Sequence, residues 1–294
     1  MTGGSFHGVL PVDKPPGPTS HDIVARARAA LGERRIGHTG TLDPFASGLL
    51  LLCVGEATRL AEFLSGLEKT YEAMVRLGAA TDSGDPEGRV VSTSEAWRDV
   101  TATALEGALS RLRGDILQVP PGLSAKKLGG VPAHRRVRRG EEVELSPRPV
   151  TVRELAVLSY EPPEVCMRVR CSAGTYVRAL ARDLGESLGV GAHLSALRRM
   201  AVGGFHVGRA VPPDALGDPE RVAGALLEPL ATVGHLRRVD VDADATESLR
   251  HGRAVELGEG VAEGTAVAAC GRILVAVGEI RDGRFAPRKV FAHG

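Results

Sequence analysis

The sequence predicts an α+β protein. Strand-like and helix-like segments are mixed along 294 residues without the strict alternation of a parallel βαβ fold. One uninterrupted apolar run, Leu49 to Val54, reads as a strand buried on both faces, and the residues from His235 onward break into short β-like runs between glycines. A hydrophobic fraction of 43% with 25% charged residues is ordinary globular composition and fits one large domain with a small appendage.

The elements follow in order. A strand, Gly8-Val9-Leu10-Pro11-Val12, is stopped by the breaker cluster Lys14-Pro15-Pro16-Gly17-Pro18. Ser20 is placed to N-cap a helix over about 21–31 that Gly32 ends. The stretch from Arg34 to Pro44 holds too much Gly and Thr for a helix and leads into the apolar strand 49–54. A helix over about 56–65 and a strand over about 70–77 come next, then a turn by composition, Thr81 to Gly88. Thr103 and Glu106 have capping-box spacing for a helix reaching about Leu112, with Leu105, Ala108, Leu109 and Leu112 on one face. Residues 118–148 are basic, broken by Pro and Gly and weakly periodic, the pattern of an arm rather than of core. Strands fit 150–160 and 165–172, a helix fits about 175–188, a strand fits about 197–207, and a short helix fits about 220–227.

Several classes of function are disfavoured at once. The longest apolar run is six residues, too short for a bilayer, and Met1 to His7 lacks the basic and apolar regions of a secretory signal. Four cysteines (Cys53, Cys166, Cys171, Cys270) form no CxxC pair, and His38 has no HxH or HExxH spacing around it. The expectation is a reduced, cytoplasmic protein with no metal site, no cofactor and no membrane partner.

The formal net charge of +1 conceals segregation. Residues 111–148 and 166–210 each carry +5, which leaves −9 on the rest of the chain. Such a distribution suits either a solvated arginine-rich surface or a positive face that attracts phosphates, and charge alone does not separate the two.

Three places hold potential chemistry. In the loop 36–48, Gly37 and Gly40 permit tight turning, and Pro44 restricts Asp43 to extended geometry that aims its carboxylate. The bland alternative for Asp43 is a turn residue capping local N–H groups. Tyr71 is one of ten aromatic residues and shares a strand face with Ala73 and Val75. Arg178 stands in the first turn of a helix, where its charge opposes the helix dipole; position 182 is Arg and position 174 is Gly, so no acid waits at i±4. A carboxylate or phosphate partner from elsewhere would explain it.

Taken together and in this order, the segments resemble the TruB family of tRNA pseudouridine synthases. The resemblance rests on Gly8-Val9-Leu10 with Asp13-Lys14-Pro15, on Gly37-His38-Thr39-Gly40-Thr41-Leu42-Asp43-Pro44 with Ala46-Ser47-Gly48-Leu49-Leu50, and on Lys69-Thr70-Tyr71. It continues through Thr81-Asp82-Ser83, Asp85 and Gly88, Gln118-Val119-Pro120-Pro121, Ser124-Ala125 and Lys127, Cys171 to Arg178, and Gly191-Ala192-His193-Leu194 with Leu197-Arg198-Arg199. It spans nearly the whole chain. It implies a pseudouridine synthase fold, a large mixed and mainly antiparallel sheet flanked by helices over residues 1–230, with a small β-barrel PUA-like RNA-binding domain over 231–294. The implied reaction isomerises the T-loop uridine of tRNA (uridine-55), without guide RNA, by a protein expected to be monomeric.

By position, Asp43 matches the family's catalytic aspartate, Tyr71 the tyrosine that stacks on the target base, and Arg178 the arginine that pairs with the carboxylate. Leu197 matches an apolar residue closing the pocket, His38 the histidine that takes the place of the flipped base, and Lys14 a lysine near the active-site entrance. Lys127, Arg135, Arg136, Arg198 and Arg199 are the expected RNA-binding residues. The family usually has Tyr where Leu123 stands, and often where His134 stands; both departures lie in the arm. Glycosidic cleavage builds positive charge at C1′, which an ionised Asp43 would stabilise as carboxylates do in glycosidases, by direct attack or by a glycal route. No second carboxylate is obvious from the sequence. A non-catalytic RNA-binding module and a carboxylate glycosidase are the rival readings; the first gives no reason to keep Asp43, Tyr71 and Arg178 together, and the second would need a second placed acid.

Overall fold

The computed structural model describes residues 6–121, 127–128, 131–132, 146–258 and 260–291. Along the chain run β1 (Gly8–Lys14), α1 (Ser20–Leu31), β2 (Ile36–His38), β3 (Ser47–Val54), a 3-10 turn (Gly55–Leu60), α2 (Ala61–Ser65), β4 (Lys69–Leu77), β5 (Ala79–Thr81) and β6 (Val90–Thr93). Then come α3 (Ala102–Ser110), β7 (Gly114–Gln118), β8 (Lys127–Leu128), β9 (Val131–Pro132), β10 (Arg148–Glu161), β11 (Glu164–Cys171), α4 (Val177–Leu188), β12 (Ala192–Val202) and β13 (Phe205–His206). The chain closes with α5 (Pro219–Ala225), α6 (Pro229–Thr232), β14 (Arg237–Asp240), α7 (Ala243–Arg250), β15 (Val255–Glu256), β16 (Gly264–Cys270), β17 (Ile273–Arg281) and β18 (Arg284–Val290).

The central sheet has the order β1-β3-β12-β4-β11-β10-β7, with β2 added on β3 and β13 on β12. Every pairing is antiparallel except β12 with β3, where Arg198 and Arg199 face Ser47 and Gly48. The sheet is therefore mixed and mainly antiparallel, in an α+β fold. β3 is apolar from Leu49 to Val54 because both of its faces are covered there. Leu49, Leu51 and Cys53 join one buried cluster while Leu50, Leu52 and Val54 join another with Ile23, Val24 and Ala27 of α1. A third cluster lies where Leu105 and Leu109 of α3 and Leu180 and Leu184 of α4 pack on β4, β11 and β10.

The tail forms a second, five-stranded sheet in the order β14-β16-β17-β18-β15, with Leu249 of α7 in its core. Its Val267, Leu274, Val277 and Phe291 share a cluster with Val9, Leu49 and Leu51 of the central sheet. The tail thus docks through apolar burial rather than hanging from a linker.

Several local expectations are corrected. Thr19, not Ser20, caps α1: its hydroxyl accepts from the Asp22 amide, and the Asp22 carboxylate accepts from the Thr19 amide, a complete capping box. Thr101 rather than Thr103 caps α3, accepting from the Ala104 amide. The span 56–65 begins as a 3-10 turn, and the span 197–207 is a long strand that folds back at Gly203-Gly204 into β13. Helix α7, capped by Asp242, interrupts the expected run of β structure. In the basic arm, β8 and β9 pair with each other; Leu123, His134, Arg135 and Arg136 lie outside the described residues.

The parallel junction admits only glycine at position 48. Gly48 has φ of +102°, and a Cβ there would lie 2.3 Å from the Arg199 carbonyl oxygen. Gly48→Ala is expected to destabilise the protein by about 2–4 kcal/mol, read as a lowered urea midpoint. An unchanged midpoint would show that β12 and β3 can separate at no cost.

Candidate active site

A cleft of about 290 Å³ opens where the loop before β3 meets the N-terminus of α4, the start of β4 and the middle of β12. Asp43, Tyr71, Arg178, Leu197 and Arg199 all line it. Its size is near the lower end for ligand clefts, about 300 Å³, and suits one pyrimidine unit better than an oligosaccharide.

The loop that carries Asp43 is held from three sides. Ser20, only 1% exposed, accepts from the Leu42 amide at 2.9 Å and donates to the Leu42 carbonyl at 3.2 Å. Lys14 donates to the carbonyls of Pro15, Pro18 and Pro44 at 2.9, 2.8 and 3.2 Å. Arg199 donates to the Gly40 carbonyl at 3.0 Å. Asp43 is thereby presented on a rigid loop.

Arg178 reaches it from α4. The guanidinium engages both carboxylate oxygens, Nε to Oδ2 at 3.0 Å and Nη2 to Oδ1 at 3.3 Å. On its other side, Nη1 donates to the Ser83 carbonyl at 2.9 Å and to Asp85 Oδ2 at 3.2 Å. This is the distant acid that the dipole-opposed position of Arg178 called for, and there are two. Asp85 is fixed in turn: its Oδ1 accepts from the Ser83 hydroxyl at 2.6 Å and from the Glu87 amide at 3.1 Å. The helix start is set by Gln118, whose side-chain amide donates to the Tyr176 carbonyl and accepts from the Tyr176 amide.

Burial pushes the Asp43 carboxyl above the usual carboxylate range, and the Arg178 charge pulls it back without cancelling the effect. The side chain is nevertheless 35% exposed, so it can meet a substrate. Tyr71 sits on β4, its pKa raised by burial and held back by Arg199, so it is a neutral phenol near pH 7. Leu197, two residues from Arg199 on β12, adds an apolar wall. His38 lies just before the cleft-lining stretch, edge-on to His21 with ring centroids 5.3 Å apart. Burial draws its pKa down to about 4, with His21 and Arg199 adding to the effect, so the ring is neutral near pH 7. Its buried Nδ1 has no hydrogen-bond partner among the described residues.

Comparison with known proteins decides the family. Residues 28–177 match the model of the TruB family pseudouridylate synthase N-terminal domain, and residues 178–220 match the tRNA pseudouridylate synthase B C-terminal domain. The chain belongs to the TruB family of pseudouridylate synthases. It is 44% identical over 287 residues to the tRNA pseudouridine synthase B of Azoarcus sp. (strain BH72), covering 97% of this chain and 95% of that one. It is 45% identical over 280 residues to the protein of the same name from Dechloromonas aromatica (strain RCB), covering 92% and 91%. Among solved structures, a Cbf5-Nop10-Gar1 complex superposes with a TM-score of 0.75 at 27% identity, covering 98% of this chain and 86% of that one.

Within this TruB-family cleft, some expected positions lie elsewhere than at an RNA surface. Lys14 is wholly buried and bonded to backbone, so it supports the Asp43 loop instead of standing at the entrance. Arg199 is 2% exposed and lines the cleft with its guanidinium bonded to the Leu49 and Gly40 carbonyls, rather than standing on an open surface. Arg198 points to the opposite face and is paired with Asp13 at 2.7 Å. The positional roles read from the sequence missed Asp85, Ser20 and Gln118. Asp85 and Gln118 stood inside quoted motifs, but only the fold brings them to Arg178 and Tyr176.

Proposed function

We propose that this chain is a tRNA pseudouridine synthase that isomerises the T-loop uridine, uridine-55, in a base-flipped complex. The observation that carries the reading is the two-point pairing of Asp43 with Arg178 inside a pyrimidine-sized cleft walled by Tyr71 and Leu197. The names of its TruB-family relatives supply the tRNA substrate.

The chemistry follows from the groups present. The target uridine is everted at a cost of a few kcal/mol in lost stacking, and the neutral ring of His38 is suited to fill the gap it leaves. The base lies against Tyr71 and Leu197. As the N1–C1′ bond breaks, positive charge grows on the ribose, and the Asp43 carboxylate meets it, attacking C1′ or removing a ribose proton toward a glycal. The uracil turns and C5 bonds to C1′, displacing the Asp43 carboxylate from C1′ or, on the glycal route, with the ribose proton returned from Asp43; the C5 proton leaves, N1 gains one, and the sum is redox-neutral. No cofactor or metal is called for by that balance.

Phosphate contacts belong to the arm, with Lys127, Arg135 and Arg136 as the gripping residues, and to the tail sheet as a PUA-like RNA-binding unit. tRNA affinity is expected to fall roughly tenfold or more between 50 and 200 mM salt, in proportion to phosphates contacted. Filter binding across a salt series reads the slope, and Arg135→Ala with Arg136→Ala should flatten it. A flat wild-type response would remove the arm as an RNA grip.

The deciding experiment incubates the pure, monomeric protein with unmodified tRNA, without cofactor, metal or guide RNA, and maps new pseudouridine. A single new site in the T-loop is the expected result. Modification only when a guide RNA is added would instead overturn the stand-alone reading.

A further inference from the structure

Two lysines are buried among the described residues, and they use their protons differently. An ammonium group carries three N–H donors. Lys14 commits all three, to the carbonyls of Pro15, Pro18 and Pro44. Lys69 commits two, to the Ser65 carbonyl at 2.5 Å and the Leu67 carbonyl at 2.7 Å. Its third has no acceptor among the described residues. Lys69 is 8% exposed, and what it borders is the cleft, whose lining includes Lys69 and Ser65 but not Lys14.

The two bonds have a plain structural use. Ser65 ends α2, and a donor there satisfies carbonyls that the helix leaves open. They do not account for the charge. The cleft lining holds one carboxylate, Asp43, which Arg178 already engages. Its two further cations, Lys69 and Arg199, give their bonds to backbone carbonyls and have no carboxylate partner among the described residues. Two poorly solvated like charges without a counter-ion are costly, so the arrangement calls for an anion that comes with the substrate.

The reaction makes one. When the N1–C1′ bond breaks, the bonding pair stays with the base, and the uracil becomes an anion whose charge spreads over N1 and the O2 and O4 carbonyl oxygens. Tyr71, a wall for that base, lies two residues beyond Lys69 on the same face of β4. We infer that Lys69 is a catalytic residue, donating its third N–H to a carbonyl oxygen of the departing uracil while Asp43 meets the positive charge on the ribose. This deepens the synthase reading and rests on it. Lys69 keeps its proton throughout. The electron pair of the base closes the C5–C1′ bond and discharges the anion, and the C5 proton then leaves as N1 gains one. A donor fixed in advance and aimed at developing charge is stronger in a cleft shielded from water than in solution.

Single-turnover tritium release from 5-tritiated-uridine tRNA, with full-length protein, is the test. Lys69→Gln keeps hydrogen-bond donors without the charge, and should slow release by about 10²-fold with tRNA affinity within about twofold of wild type. The pH profile is a readout that helix capping does not move. Burial lowers the Lys69 pKa to about 8, with Arg199 of β12 adding to the effect and Cys171, its register partner on β11, opposing it. Wild-type release should therefore fall as pH rises through about 8. Lys69→Arg, charged at every pH used, should lose that fall while retaining part of the neutral-pH rate. A Lys69→Gln rate like wild type, or a loss confined to tRNA affinity or melting temperature, would overturn the inference. So would an alkaline fall that survives in Lys69→Arg, since it would then belong to another group such as Lys14, whose pKa burial also lowers to about 8. If either variant does not fold, the other decides. Wild-type turnover with a silent Lys69→Gln sinks this inference alone, whereas a wild type that makes no pseudouridine sinks the synthase reading with it.

Discussion

Asp43→Asn is expected to abolish pseudouridine formation, by at least about 10³-fold in single turnover, while the protein stays folded and still holds tRNA. Asn keeps the shape and the hydrogen bonds of the loop but supplies no charge to a C1′ that is becoming positive. Tritium release from labelled tRNA measures the loss, and filter binding checks the complex; near-normal release by the variant would remove Asp43 from the chemistry. Stability adds a second readout. The folded pKa of Asp43 lies above its ordinary value, so its ionised form is disfavoured by folding. The group therefore favours the folded state most when protonated, and this contribution is lost as pH rises through the raised folded pKa. Asn has no ionisation to oppose, so Asp43→Asn should melt no lower than wild type near pH 7, its advantage shrinking toward acid. Wild-type activity should fall on the acid side at a higher pH than an ordinary aspartate would give, because the carboxylate form is the working one.

What the sequence made legible was local or chemically distinctive. The six-residue apolar run reads as a doubly covered strand because nothing else explains so many consecutive aliphatics, and β3 is that strand. Asp43 stood out because Pro44 aims its carboxylate and Arg178 because its charge opposes the helix dipole, and each is the other's partner. The misreadings share a cause, which is competition from contacts distant in sequence. Ser20 has good capping chemistry, but its hydroxyl is committed to Leu42 on the catalytic loop, and Thr19 with Asp22 takes the cap. Glu106 was assigned to a capping box, yet it pairs with Arg113. The adjacent arginines at 198 and 199 were both read as phosphate ligands, although alternation along a strand sends neighbours to opposite faces. That periodicity was available from sequence and would have withdrawn one of them. The double glycine at 203–204 was likewise a turn signal inside an assumed strand. Asp85 is different in kind: its role depends on a turn folding back onto α4, and no spacing rule reaches across that distance.

Arg178→Met is expected to remove activity near pH 7 and to destabilise the fold by about 3–5 kcal/mol, a larger stability loss than any other change considered. The reason lies in the sandwich Asp43–Arg178–Asp85. One guanidinium, 5% exposed, serves both carboxylates and the Ser83 carbonyl, and deleting it strands two negative groups in a poorly solvated place. Asp85 already raises the Asp43 pKa, so without the cation between them Asp43 would be protonated further into the neutral range. Arg178→Lys retains the charge but cannot fork three ways, so it should recover part of the stability and little of the rate. Two measurements separate these effects. Urea unfolding should place Arg178→Met lowest, and adding Asp85→Asn to it should restore part of the loss by removing one stranded charge. A pH profile of single-turnover release should show residual activity in Arg178→Met rising toward alkaline pH, as the unsupported carboxylate finally ionises. If Arg178→Met instead keeps the wild-type pH dependence, the guanidinium does not govern the charge on Asp43, and the pairing serves only to hold α4 to the loop.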